Sequence, residues 1–168
     1  LPLDSQVRAV LSQQRQTFED LGCIVEDACP DFCAADEIFL TLRAWNYFHT
    51  LGPLLDEHRD KMKPEAGWQI EAGRTLSGAD VATAMSRHGE LMDRMRRFYD
   101  DYEFLICAVN QVPPFHATID WPKEITGVQM ENYIAWMKSA YWISVTFGPA
   151  ISVPCGFTPE GLPVGIQI

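Results

Sequence analysis

The stretch Pro149-Ala-Ile-Ser-Val-Pro-Cys-Gly156, followed after four residues by Gly161-Leu-Pro-Val-Gly-Ile-Gln167, decides how this chain is read. Pro149 and Pro154 bracket a short strand, Ala150–Val153, and remove backbone donors at its ends. A second strand is predicted over Pro163–Ile168, where Val164, Ile166 and Ile168 share one face. The turn between them holds Pro159 and Gly161. Gly156 and Gly161 permit turn conformations closed to other residues. Gly165 permits another backbone or a helix to pack closely. These residues hold a sheet together, and none has acid–base chemistry. The chain stops inside the second strand, so it is expected to be a piece of a larger protein, truncated at both ends.

Upstream, helices alternate with short apolar runs. Asp4 or Ser5 caps a helix that carries Val7, Val10, Leu11, Phe18 and Leu21 and stops at Gly22. Cys23–Glu26 reads as a short strand closed by the Pro30-Asp31 turn. A second helix is expected over Ala35–Thr50, with Ile38, Leu42, Trp45 and His49 on one face, and Gly52-Pro53 should break it. Residues 62–76 read as a loop. Ser77 and Asp80 form a capping box before a helix marked by Val81, Ala84, Met85, His88, Met92, Met95, Tyr99 and Tyr102. Phe104–Val109 has the length and character of a strand buried on both faces. A loop with Pro113-Pro114 and Trp121-Pro122 precedes a last helix through Met130, Tyr133, Ile134, Met137 and Tyr141. This order predicts one α/β domain over residues 1–168, a mixed sheet covered by helices.

Composition excludes several classes of function. The 168 residues are 47% hydrophobic with a formal charge of −10. A nucleic-acid partner would require a basic stripe. The only basic cluster, Arg94, Arg96 and Arg97, reads as the solvated face of a helix. Small neutral or cationic ligands suit the charge better than anionic polymers. No run of about 18 apolar residues spans a membrane. Five cysteines without short paired spacing argue against a disulfide framework, and a reduced cytoplasmic setting is the default. Cys23, Cys29 and Cys33 lack the knuckle spacing of a zinc site, so no metal is expected. Cys107 or Cys155 with His116 would suit a thiol hydrolase, but no orienting acid is marked. His49 and His88 read as core histidines, His58 as solvated.

The closing stretch resembles the final motif of the amidase signature family, Pro-Ala-x-Ser-x-Pro-x-Gly followed by Gly-Leu-Pro-x-Gly-x-Gln. Pro149, Ala150, Ser152, Pro154, Gly156, Gly161, Leu162, Pro163, Gly165 and Gln167 all match. A helix ending in Leu21-Gly22 before the acidic Val25-Glu26-Asp27, and Phe104-Leu105-Ile106 before Pro113-Pro114-Phe115, follow the family's order. The resemblance implies the C-terminal part of the amidase signature fold. It implies a hydrolase of carboxamide C–N bonds with a serine nucleophile, a second serine in a cis peptide and a lysine base. Those groups lie upstream in the family, in a Gly-Ser-rich segment. This chain has no Gly-Gly or Ser-Ser dipeptide, and its serines (Ser5, Ser12, Ser77, Ser86, Ser139, Ser144, Ser152) are scattered.

No catalytic residue is therefore carried over, and Ser152 reads as structural. The chain alone is expected to be inactive, a scaffold and pocket wall for a small-molecule amide substrate, with no cofactor. Pocket-lining candidates are Phe115, Trp121, Tyr133, Trp136, Tyr141 and Trp142, with core packing as the competing role of each. Where the family shows Asn and Gly before the motif proline, this chain has Ser144 and Phe147, so substrate class does not transfer from relatives. The alternative is a non-catalytic binding module that self-associates into a homo-oligomer through an exposed sheet edge.

Overall fold

The computed structural model describes residues 1–168, which fall into two compact units: Leu1–Pro30 with Phe98–Ile168, and Asp31–Arg97. The expected mixture of helices and short strands is present in the first unit, and every strand pairing is antiparallel.

In the first unit, Asp4 caps α1 (Ser5–Gln13) by accepting the Gln6 N–H at 2.8 Å. The helix expected to reach Leu21 divides at Gln14, and α2 spans Arg15–Asp20. Gly22, at φ 91°, ends it. The Cys23 N–H donates to the Phe18 carbonyl at 3.0 Å and the Gly22 N–H to that of Glu19 at 2.9 Å. Cys23–Glu26, predicted as a strand, pairs with nothing, and Ile24 is 92% exposed. A strand exists only as half of a ladder, and this segment has none. Arg15 instead holds the segment through the Val25 carbonyl and the Asp27 carboxylate.

The main sheet has the order β1 (Cys107–Ala108), β5 (Pro163–Gln167), β4 (Ser152–Phe157). The predicted strand over Phe104–Val109 shrinks to two residues, and Phe104 is exposed. β4 starts later than expected and runs through Pro154. A proline fits there because β4 is an edge strand, with a register shift between Pro154 and Gly156. In the turn that follows, Gly161 sits at φ 80° and the Thr158 N–H donates to the Leu162 carbonyl at 2.8 Å. α1 packs on this sheet through Val7 and Val10, which join Ala108 and Val164 in a buried cluster. A Cβ at Gly156 would meet Val10 Cγ1 at 2.8 Å, so the glycine lets α1 seat directly on β4.

A short hairpin, β2 (Glu124–Ile125) with β3 (Val128–Gln129), turns on Thr126 and Gly127, both at positive φ. The predicted last helix starts late. Asn132 Oδ1 accepts the N–H groups of Ile134 and Ala135 at 2.9 and 3.1 Å, a 3-10 turn covers Ala135–Met137, and α6 spans Lys138–Ser144. Just past it Phe147 sits at φ 52°, a left-handed conformation that favours glycine, with its ring 75% exposed. The backbone term costs an L-residue about 1–2 kcal/mol. Phe147→Gly is therefore expected to raise stability by about 0.5–1 kcal/mol after the added unfolded-state freedom of glycine. Thermal unfolding reads this, and a lower midpoint would mean that the ring, not the backbone, decides.

In the second unit α3 spans Ala35–His58 and runs through Gly52-Pro53, where a break was expected. Residues 62–76, predicted as a loop, form α4 (Pro64–Arg74), with Pro64 at its first turn and Gly67, Gln69, Ile70 and Gly73 buried. The glycines that suggested a loop are contact points. Gly67 faces Leu55, and Gly73 lies against the Ala44 backbone. Continuous packing on α4 offsets the proline's local cost in α3, about 3 kcal/mol.

α5 spans Gly78–Asp101, and its residues from Phe98 belong to the first unit. Its capping box forms as predicted. The Ser77 hydroxyl and N–H donate to Asp80 Oδ2 at 2.7 and 2.8 Å and hold the Asp80 carboxyl below its ordinary pKa, while the Asp80 N–H returns to Ser77 Oγ at 3.2 Å. Other side chains depart from expectation. His49 and Trp45 are exposed, because the buried stripe of α3 runs instead through Ile38, Ala44 and Leu55, and His88 on α5 is half-buried. Arg94 is no solvated residue, since it donates to the carbonyls of Asp31 (3.1 Å) and Cys33 (2.6 Å).

Candidate functional site: the proline-loop cleft

Beneath the sheet of the first unit lies a buried polar cluster. Gln167, the last residue of the closing motif, donates through Nε2 to the carbonyls of Ala108 (2.8 Å) and Ser139 (2.9 Å) and toward Cys107 Sγ (3.3 Å). Gln111 is fully buried. Its Nε2 donates to the Pro2 carbonyl at 2.9 Å, and its Oε1 accepts the Ser139 N–H at 3.4 Å. Ser139 Oγ donates to the Val109 carbonyl at 3.0 Å. Two glutamines and a serine thus join β5, β1, α6 and the N-terminal stretch. Each buried group finds a partner, as the low-dielectric interior requires.

That cluster fixes the start of the proline loop. The Asp4 N–H donates to the Gln111 carbonyl at 2.8 Å, and the chain then turns through Pro113-Pro114 to Phe115. Against it lies a cleft of about 150 Å³, whose lining includes Val7, Asn110, Pro114, Phe115, Trp136 and Val164. No lining residue carries an ionisable side chain. Phe115 meets Trp136 edge to face, with ring centroids 5.5 Å apart at 80°. Trp136 in turn meets Tyr133 at 6.5 Å and 80°. The Trp136 Nε1–H is shielded from solvent and has no acceptor.

Of the six aromatics marked in the sequence, Phe115 and Trp136 line this cleft, and Tyr133 backs Trp136. The other three are placed differently. Trp121 stacks under Lys123, whose Nζ lies 3.2 Å from the ring centroid. Tyr141 is buried in the core, and Trp142 is half-buried on α6. Sequence reasoning missed Val7 and Asn110 as lining residues, and Gln111 and Ser139 as the cluster that sets the loop. A glutamine two residues past the apolar run Phe104–Val109 and just before Val112-Pro113 was the available signal.

Several serine hydroxyls are engaged in local backbone bonds. The hydroxyls of Ser12 and Ser144 donate to carbonyls one helical turn back, at 2.8 and 3.1 Å, and that of Ser77 belongs to a cap. Burial raises the pKa of both the Cys107 and Cys155 thiols, which disfavours the nucleophilic thiolate. His116 Nδ1 lies 2.8 Å from Thr118 Oγ1. A thiol hydrolase built on these residues has no support in the geometry.

A family model described as Amidase matches residues 2–168. The chain is 28% identical to an acylamidase of Rhodococcus erythropolis over 170 residues, which cover 99% of this chain and 35% of that protein. Among solved structures, an amidase superposes with a TM-score of 0.86 at 19% identity, over 99% of this chain and 38% of that one. A bacterial aryl acylamidase of the amidase signature enzymes gives 0.84 at 20% identity, over 99% and 37%. The chain spans about a third of the length of the acylamidase and of these two structures.

Proposed function

The chain belongs to the amidase family, and from that membership we propose that it is the C-terminal part of a longer serine hydrolase that cleaves the C–N bond of small carboxamides. The observation that carries this reading is the match over residues 2–168 combined with coverage of only 35% of the acylamidase. The scattered serines, with no Gly-Gly or Ser-Ser dipeptide in this chain, support placing the nucleophile and its base in the remainder of the enzyme. Hydrolysis by an activated serine requires no metal or organic cofactor.

The part played by these residues is positional. Gln167, Ser139 and Gln111 lock the proline loop against the sheet, and the loop then presents Phe115, against Trp136 of the 3-10 turn, as one wall of the substrate pocket. A wall fixed before substrate arrives lowers the entropy lost on binding and excludes water from the reacting bond. The fit of the charge-free lining is to a neutral substrate. No helix is long and apolar enough to cross a membrane, and the enzyme is read as cytoplasmic.

A serine-directed fluorophosphonate and a chromogenic anilide test the division of labour. The 168-residue chain is expected to give no labelling and no turnover above buffer, whereas the longer enzyme does both. A labelled serine within this chain would place the nucleophile here and overturn the proposal.

A further inference from the structure

We propose that Phe147, with Ile151 and Phe157 of the stretch that follows it, forms a docking surface on which the remainder of the longer enzyme seats. The occupant rests on the reading of this chain as one part of that enzyme; the surface stands on its own geometry.

Exposure marks the surface. Between positions 147 and 157 three large apolar side chains lie open: Phe147 at 75%, Ile151 at 59% and Phe157 at 69%. Single exposed apolar residues are ordinary, whereas a cluster of them marks a face that another surface covers. The backbone beneath is fixed. Ile151 exchanges both backbone bonds with Ile168, at 2.9 and 3.0 Å, and Phe157 closes β4 opposite Pro163. β4 has a neighbour on one side only. An apolar edge strand left open to solvent is an aggregation hazard, which a covering partner removes. Because the backbone is already ordered, little freedom remains to be lost on docking.

Strain at Phe147 is an independent observation. Its φ of 52° lies in the left-handed region, which costs a bulky L-residue free energy wherever glycine would not pay it. The local bonds are long: the Phe147 N–H reaches the Ser144 carbonyl at 3.4 Å, and the Gly148 N–H reaches Thr146 Oγ1 at 3.4 Å. Strain of this kind persists where surrounding structure over-determines it. Most of the ring's surface is open within this chain, so the compensating burial comes from a surface the chain does not contain.

Two facts select the occupant. The chain covers 35% of the acylamidase and 38% of the superposed amidase, so most of such an enzyme lies outside these residues. A net charge of −10 on each chain opposes the pairing of two like copies. The partner face that fits is apolar, with a recess for one ring. A reversal of sign follows. Phe147→Gly relieves strain in the chain taken alone, but in the longer enzyme it removes the ring from the contact.

The longer enzyme tests this directly. With p-benzoylphenylalanine introduced at position 147, irradiation is expected to join that position to a peptide outside residues 1–168 of the same polypeptide, read by mass spectrometry. Phe147→Gly is expected to lower the thermal midpoint of the longer enzyme by about 2–4 °C, and Phe147→Leu, which keeps an apolar side chain, by less. Cross-links confined to residues 1–168, cross-links that double the mass, or no cross-link overturns the surface. So does a midpoint that rises with Phe147→Gly, and a rise accompanied by a changed KM would place the ring against substrate instead. If the glycine variant does not fold, the cross-link alone decides. The fluorophosphonate and anilide results do not depend on this contact, so the two readings fail separately.

Discussion

Gln167→Leu is expected to lower the unfolding free energy by about 3 kcal/mol, although leucine fills nearly the same volume. The loss comes from the partners. Gln167 satisfies the carbonyls of Ala108 and Ser139 at a position only 7% exposed. Leucine leaves both acceptors buried and unpaired, at about 1–3 kcal/mol each before relaxation. Because these carbonyls lie on β1 and α6, the damage spreads to the proline loop. The urea midpoint should fall with the slope unchanged. A shift worth less than about 1 kcal/mol would indicate that water replaces the amide, and the cluster would then not be what holds the loop. This accounts for glutamine in the closing motif by packing chemistry alone, because a polar side chain at that point of β5 joins three elements.

The second large effect is expected at Gly73→Ala. The added Cβ would lie 2.6 Å from the Ala44 carbonyl carbon and 2.7 Å from Phe48 Cβ, closer than real Cβ contacts come. Backbone, not a flexible side chain, stands in the way, so α4 must move off α3. Overpacking of this kind costs about 1–3 kcal/mol and occasionally more, and the upper end is expected here. Gly89→Ala is the control. Nothing lies within 4 Å of that Cβ, and in the interior of α5 alanine should stabilise by about 0.5–1 kcal/mol. Opposite signs for two glycine-to-alanine changes in helices would show that contact, not propensity, sets the Gly73 result. Similar values at both sites would refute the close approach of α3 and α4.

How much of this was legible depends on the range of the interaction. The Ser77–Asp80 box, the Gly22 stop and the Gly161 turn are complete within a few residues, and each forms as read. The errors fall where the deciding partner is distant in sequence. Gly67 and Gly73 look like loop glycines until α3 is laid against them, and Pro53 looks like a helix end until α4 supports it. Cys23–Glu26 and Phe104–Ile106 have strand-like composition, but composition supplies no ladder. At the site, Phe115 and Trp136 were recognisable as candidates by type and position. Their selection over Trp121, Tyr141 and Trp142 was not, since all are aromatics on one loop and one helical run.

The amino-acid order alone pointed to the family, through the closing motif. It also determined the capped helices and the hairpin of β4 and β5, whose stabilising contacts are local. Only the tertiary structure decided that Gln167, Ser139 and Gln111 share their hydrogen bonds, and that two of six aromatics line a cleft. The physical reason is that buried polar groups must find partners and rings must find walls, and both come from segments far apart in the chain.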